Sequence, residues 1–445
     1  MTERDGGLEF LEQVTARLAQ TAGVDDWLAR QVEMTEHQFY LIGDAPESVR
    51  TVHTTRLEVT VYNDHPPRRA TGEPVRGSAQ VTLLPADLPD LEARLRDAVF
   101  MASLADNPRF SLPGPAEMPA VETADPALLA DPPEMSRQVG TALRRAVAAE
   151  PGVRLSSAEV FIRERRLALR NSRGAAGLHH GTNLVLDLVL MAGAGPAEAE
   201  RHIAVRRRRR ADLDIEMLVA RYAQQARDSL RAVLPQGRTG PVVISGEALR
   251  ELFLPLLLHT GAQFHYQRLS PLRIGEPVFR GPLQGEALTF ISDGRLPYGS
   301  RTAPFDDDGV PRQTTVLVRD GILQSLWAEH RYAEYLNIPA TGSFANVRLA
   351  PGATPLADLL AGDDVTHVVS FSWLNPDPVT GKFSGEIRLA YQRRNHEWTP
   401  VKGGAVSGDV FAALAHAHFS AETQFRGDYL GPEAIRFEEL VVAGE

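Results

Sequence analysis

The sequence contains no cysteine, and only two of its 47 basic residues, Lys382 and Lys402, are lysines. Without thiols there is no disulfide, no thiolate zinc site, no iron–sulfur cluster and no cysteine nucleophile. Any metal would need histidine and carboxylate ligands. The scarcity of lysine leaves almost no candidate for Schiff-base chemistry, and the arginine excess reads as coding bias rather than selection for guanidinium groups. Long apolar runs are lacking too. The longest, Leu252 to Leu258, is far short of the roughly 20 residues of a membrane span, and the opening MTERDGGLEF has no basic segment followed by an apolar one. A cytoplasmic protein with no membrane association is expected.

What is present is an ordinary globular composition. The 445 residues are 43% hydrophobic, enough for two or three domains of roughly 150 residues each. The 57 acidic residues outnumber the basic ones and give a net charge of -10. That balance argues against a nucleic-acid partner, which needs concentrated positive charge.

Periodicity along the chain predicts a helix over 6–20, strands over 27–42, 51–62 and 77–84 separated by the turn clusters GDAPES and NDHPPRRATGEP, and a helix over 89–104. Residues 106–133 are proline-rich and read as an extended connector. A helix follows over 136–149 with Ser136 as its N-cap. Between 155 and 210, SSAEVFIRERR, LALRNSRG, NLVLDLVLM and RHIAVRRRRR read as four strands of an antiparallel meander, turning at Asn171–Gly174 and Gly193–Pro196. A helix over 214–233 stops at Pro235. The expected organisation is an N-terminal α/β domain (1–235) and a C-terminal antiparallel β-rich, barrel-like domain (236–445) with short helices at 328–336, 355–360 and 409–418. Strands without regular βαβ alternation make the class α+β. Asp320-Gly321 is the strongest hairpin signal, and DPVTGK and a closing strand over 435–442 add to it.

Most candidate motifs have a plain explanation. Gly193-Ala194-Gly195 lacks the third glycine and the helix of a dinucleotide fingerprint, so a hairpin turn is expected. Arg206 to Arg210 reads as a solvated strand edge. Phe305-Asp306-Asp307-Asp308-Gly309 has contiguous carboxylates where a calcium loop needs alternate ones, so it reads as a tight acidic turn. His416 and His418, two apart on an expected helix, diverge, and His179-His180 lies in an expected loop. The segment Gly246–Gln267, GEALRELFLPLLLHTGAQFHYQ, reads as a buried helix kinked at Pro255. Its His259 and His265 are six apart and point to different faces of such a helix. They are the two candidates for a groove.

The segments APFDDDGVPRQTTVLVRDGILQSLWAEHRYAEYLNIPATG, DPVTGKFSGEIRLAY and PVKGGAVSGDVF, in that order, resemble the TldD/PmbA (TldD/TldE) family, and AEVFIRERRLALRNSRG resembles the end of its N-terminal domain. The resemblance implies a two-domain α+β protein. It also implies a two-subunit metalloprotease in which a TldD-type subunit carries zinc on an H-E-x-x-x-H helix, completed by a cysteine, while a PmbA/TldE-type subunit carries none. Such complexes cleave unstructured peptides in an enclosed groove.

Laid over Leu254–His259, the zinc motif meets Leu254 at the first histidine, Pro255 at the glutamate and His259 at the second histidine. One histidine cannot hold zinc, because catalytic sites use about three protein ligands and a base. With the cysteine absent as well, the expectation is a metal-free subunit with no catalytic and no metal-binding residue. Its zinc would be carried by a TldD-type partner, and it would hold unfolded peptide by strand addition. Two other readings stay open: a homodimeric peptide-binding protein, and a self-sufficient hydrolase built from His259, His265 and a carboxylate such as Glu286 or Asp293.

Overall fold

The computed structural model describes residues 8–67, 72, 74–195 and 197–445. Residues 6 and 7 of the expected first helix, residues 68–71 and 73 of the NDHPPRRATGEP cluster, and Pro196 of the expected turn lie outside the described residues. The N-terminal strands are β1 (Asp26–Ile42), β2 (Ala45–His65), β3 (Val75–Leu83), β4 (Asn107–Pro108), β5 (Val153–Asn171), β6 (Ala176–Ala194) and β7 (Ala197–Arg207). They form one antiparallel sheet in the order β4-β3-β2-β1-β5-β6-β7.

Side chains alternate across a strand, so each face of this sheet gathers its own residues. One face carries Ala29, Phe39 and Leu41 of β1 and Ala158, Val160 and Ile162 of β5. It is covered by α1 (Glu9–Leu18) and α2 (Leu91–Ala102) toward β1–β3, then past α3 (Pro126–Ala130) by α4 (Pro132–Ala148) and α5 (Ile215–Leu230) toward β5–β7. The opposite face presents Leu28, Val32, Leu167 and Leu169. Phe110, Leu112 and Met118 of the proline-rich connector cover it, together with Phe305 from the second half of the chain. That contact seats the C-terminal half on the sheet.

Three expectations change here for physical reasons. The segments SSAEVFIRERR and LALRN form a single 19-residue strand, because no turn residue separates them and Glu164, Arg165 and Arg166 stay in register with Thr182, Gly181 and His180. His179 and His180 therefore lie in a strand, not a loop. Helix α4 starts four residues before Ser136. The Asp131 carboxylate accepts from the Glu134 amide at 3.0 Å, and Pro132 and Pro133 fill first-turn positions where a missing N–H costs nothing. Ser136 is buried inside the helix and donates to the Pro133 carbonyl at 2.8 Å.

The C-terminal half opens with β8 (Arg238–Ser245) and three short helices, α6 (Ala248–Leu252), α7 (Leu254–His259) and α8 (Ala262–Tyr266), in place of the single kinked helix expected. Pro255 sits in the first turn of α7, where it begins a helix instead of bending one. Then come β9 (Phe290–Asp293), β10 (Thr314–Arg319), β11 (Ile322–Leu323), α9 (His330–Leu336), β12 (Asn346–Leu349), α10 (Leu356–Leu359) and β13 (Thr366–Pro376). The chain ends with β14 (Lys382–Arg394), β15 (Glu397–Val401), β16 (Ala405–Asp409), α11 (Val410–Ala413), β17 (Ala417–Phe419), β18 (Thr423–Arg426), β19 (Tyr429–Pro432) and β20 (Ala434–Ala443).

Strands β13-β8-β20-β16-β14 pair in that order, and β13 also pairs with β14, which closes a five-stranded barrel. A second sheet, β11-β10-β9-β12-β19-β18, packs through a shared core that includes Phe253, Phe290, Val347 and Phe437. The class is α+β, as expected. Asp320 and Gly321, both at positive φ (50° and 76°), make the hairpin turn between β10 and β11. The helix expected over 409–418 shrinks to α11 and a 3₁₀ turn, so His418 lies on β17. No helix among the described residues is long and apolar enough to cross a membrane.

Candidate functional site

The apolar run Leu252–Leu258 packs α6 and α7 into the C-terminal core and carries His259 in with it. His259 is 1% exposed, and its ring sits edge-on between Phe264 and Phe411, at 5.5 and 5.0 Å between centroids. Its Nδ1 lies 3.2 Å from Ser270 Oγ, and its Nε2 lies 3.0 Å from the carbonyl of Val379 in the DPVTGK turn. A carbonyl only accepts, so Nε2 carries the proton. Burial holds this imidazole below the ordinary histidine pKa, which keeps it neutral. His265 is half-buried; its Nε2 donates to the His259 carbonyl at 2.9 Å, and burial lowers its pKa also.

His259 is thus spent on the backbone of the 377–382 turn and His265 on the end of α7. Asp377 completes that turn, its Oδ1 accepting from the Val379 and Thr380 amides and the Thr380 hydroxyl. The carboxylates considered with the histidines point elsewhere. Glu286 faces His418 at 3.9 Å, while Asp293 accepts from Thr314 at 2.8 Å and from Arg348 at 3.2 Å. Leu254 and Pro255 supply no donor atom. Among the described residues, no cluster of three or more histidine or carboxylate side chains could hold a metal. The side chains of Leu254, Pro255 and the engaged His259 do not fit a zinc ion. Replacing His259 with alanine leaves the Val379 carbonyl and a buried void behind; a loss of about 2–4 kcal/mol in urea unfolding is expected, with no change in wild-type Tm on adding zinc.

Of the clefts lined by both halves, two carry buried or unpaired polar groups. The first, about 510 Å³, runs beside β13. This strand pairs with β8 only at Thr366, His367 and Val368, so from Val369 to Pro376 one of its edges is unpaired among the described residues. Arg201, nearly buried, reaches the cleft from β7; it donates to Gln225 at 3.1 Å and to Ser370 at 2.8 Å and stacks on Tyr222. His367, brought down to about 4 by burial, and the exposed Trp373 line the same space.

The second cleft, about 390 Å³, lies where the acidic turn meets the N-terminal sheet. FDDDG is a tight turn, as expected. Asp306 is buried and accepts from the Asp308, Val310 and Ser343 amides at 3.0, 2.9 and 2.8 Å, while Asp307 pairs with Arg30 across the interface. The arginine run is not a solvated edge. Strand β7 ends at Arg207, and Arg208 turns inward, buried, to donate to the carbonyls of Thr302 (2.7 Å) and Ser300 (2.9 Å). Sequence reasoning missed Arg201 and Arg208. Five consecutive arginines give no sign of which one turns in, and only the end of β7 decides it.

Residues 236–444 match the model of the PmbA/TldA metallopeptidase C-terminal domain. By this match the C-terminal half is similar to the PmbA/TldD family. The PmbA/TldD relationship extends to curated proteins. An uncharacterized protein of Methanocaldococcus jannaschii is 26% identical over 215 residues, covering 45% of this chain and 50% of that protein. Metalloprotease slr0863 of Synechocystis is 29% identical over 277 residues, covering 54% and 58%. The chain spans about half the length of the curated relatives it matches. In structure, TldE from Thermococcus kodakarensis superposes with a TM-score of 0.81 at 18% identity, covering 98% of this chain and 100% of that one. At that identity the likeness is one of fold: this chain has the TldE fold from end to end.

Proposed function

We propose that this chain is a non-catalytic, PmbA/TldE-type subunit that works with a zinc-bearing TldD-type partner on unstructured peptides. The observation that carries the reading is the state of the α7 segment. Leu254 and Pro255 stand where the family's first histidine and glutamate would be, and His259 has both ring nitrogens engaged by Ser270 and Val379. A chain without cysteine lacks the remaining ligand as well.

Its own residues would then contribute binding. Beyond Val368, the free edge of β13 offers backbone N–H and C=O groups to an extended peptide, which could add as a strand without regard to its sequence. Trp373 and Arg201 flank that edge. Hydrolysis belongs to the partner, and this chain positions and encloses the peptide.

Co-expression with a TldD-type chain from the same source is the test. The expected result is a stable two-chain complex that degrades an unfolded peptide, with neither chain active alone. Stoichiometric zinc and peptidase activity in this chain purified by itself would overturn the reading. A stable homodimer that binds peptide and takes up no TldD-type chain would replace it with the binding-protein alternative.

A further inference from the structure

The 390 Å³ cleft gathers three arginines, Arg165, Arg208 and Arg312, that form no ion pair among the described residues, although Asp306, Asp307 and Glu329 line it too. Arg165 on β5 reaches it from the sheet face opposite the helices, and it makes no hydrogen bond or ion pair within the described residues. Arg208 spends its terminal nitrogens on the Thr302 and Ser300 carbonyls, and Arg312 donates to the carbonyls of Ser343 and Phe344. The Nε atoms of both, and Nε2 of the buried His179 beside them, are enclosed without a protein partner.

Carbonyl dipoles orient a guanidinium but do not cancel its charge, and buried charge is ordinarily paired. Two of the three nearby carboxylates have other partners. Asp306 is taken by three amides and Asp307 by Arg30; Glu329, at the cleft wall, has no ion pair and is held above the ordinary glutamate range by burial and by Asp306 and Asp307. The strain shows on the arginines: burial, with Arg165 and Arg312 alongside, brings Arg208 down to about 10. Most other arginines near the domain junction, Arg30, Arg76 and Arg173 among them, find an aspartate or glutamate.

We infer that this cleft is a binding site for a small oxyanion, a carboxylate or phosphate group, held by Arg165 with Arg208 and Arg312 behind it. A guanidinium fork fits either group in bidentate fashion, and the cleft admits a group of that size while the walls of Trp327, Phe344 and Leu257 limit competing water. Two sources share this chemistry: the free carboxyl end of a peptide and inorganic phosphate. The site is independent of whether a partner subunit carries zinc.

Calorimetric titration of the full chain, at ionic strength held constant with sodium chloride, tests it with three ligands: inorganic phosphate, a short peptide with a free carboxyl end, and the same peptide amidated. Saturable binding is expected, weakened at least tenfold by R165Q and unchanged by R166Q, whose side chain is exposed and paired with Glu164. Arg165 makes no hydrogen bond or ion pair among the described residues, so R165Q should unfold at the wild-type temperature. Binding of phosphate alone, or of the free-carboxyl peptide and not its amide, supports the site and names its source. No saturable binding by any of the three, or equal affinity in wild type and R165Q, would overturn it.

Discussion

Replacing Arg76 with methionine is expected to cost about 3–5 kcal/mol of stability at neutral pH, as much as any single change in the N-terminal sheet. Arg76 is 1% exposed and lies at the start of β3, under the connector. Its Nη2 donates to Asp26 at 2.8 Å, its Nε to Asp64 at 2.7 Å and its Nη1 to the Phe110 carbonyl at 2.7 Å. One side chain therefore ties β1, β2 and β3 to the strap that crosses them. Burial by itself would raise Asp26, but hydrogen bonds from Arg173, Ser172 and Arg76 outweigh it and hold the carboxyl below its ordinary value. Asp64 is lowered, first by its hydrogen bond to Arg76. A depressed carboxyl stabilises the fold above its unfolded pKa and loses that contribution as pH falls through its folded one. The gap between wild type and R76M should therefore be widest near pH 7 and should narrow below about pH 4. Urea unfolding at pH 7 and pH 3 measures it; a cost under 1 kcal/mol at pH 7 would mean that Arg173 alone suffices for Asp26.

The contrast between Arg76 and Arg208 shows what could be read from the residues alone. Long β-branched stretches announced β1, β2 and β3, because a strand half-buried against helices must alternate. Asp320-Gly321 announced its hairpin because few residue pairs tolerate two positive φ values in succession. That positions 254 and 255 offer no metal-binding side chain is legible from residue identity alone. Interior polar contacts were not legible. Whether an arginine in a basic run meets solvent or a carbonyl of the other half of the chain depends on where the strand stops. Pro132 and Pro133 read as connector because proline breaks helices in their interior; at the first turn, with Asp131 as cap, the same residues start one. His418 was placed on a helix because AALAHAHF has helical composition, yet pairing of residues 417–419 with β20 outweighed that local preference.

The acidic turn that docks the two halves carries the second large effect. Asp308 is half-buried near Tyr62, and burial, followed by Asp306, Glu329 and Asp307, pushes its carboxyl up to about 7. Its folded pKa thus lies above the unfolded value, the reverse of Asp26. Between about pH 4 and pH 7 the folded chain binds the extra proton, so stability falls as pH rises through that window and stays low above it. A separation of three units would be worth about 4 kcal/mol, and partial exposure with coupling to three neighbouring carboxyls reduces this to about 1–2 kcal/mol. Asp308→Asn keeps the side chain's size and removes the charge. Its gain over wild type should be small at pH 4, grow to about 1–2 kcal/mol by pH 7.5 and then level off, in urea unfolding at pH 4, 6 and 8. A gain independent of pH would place the cause in packing instead. Asp306 sits two residues away with the opposite design, its carboxylate satisfied by three backbone amides. The turn thus keeps one charge as its framework and carries another at a cost, next to the junction where Phe305 meets the N-terminal sheet. Neutralising Asp308 should therefore tighten the seat between the halves as well as raise stability, and proteolysis within the connector at pH 8 should slow in the same variant.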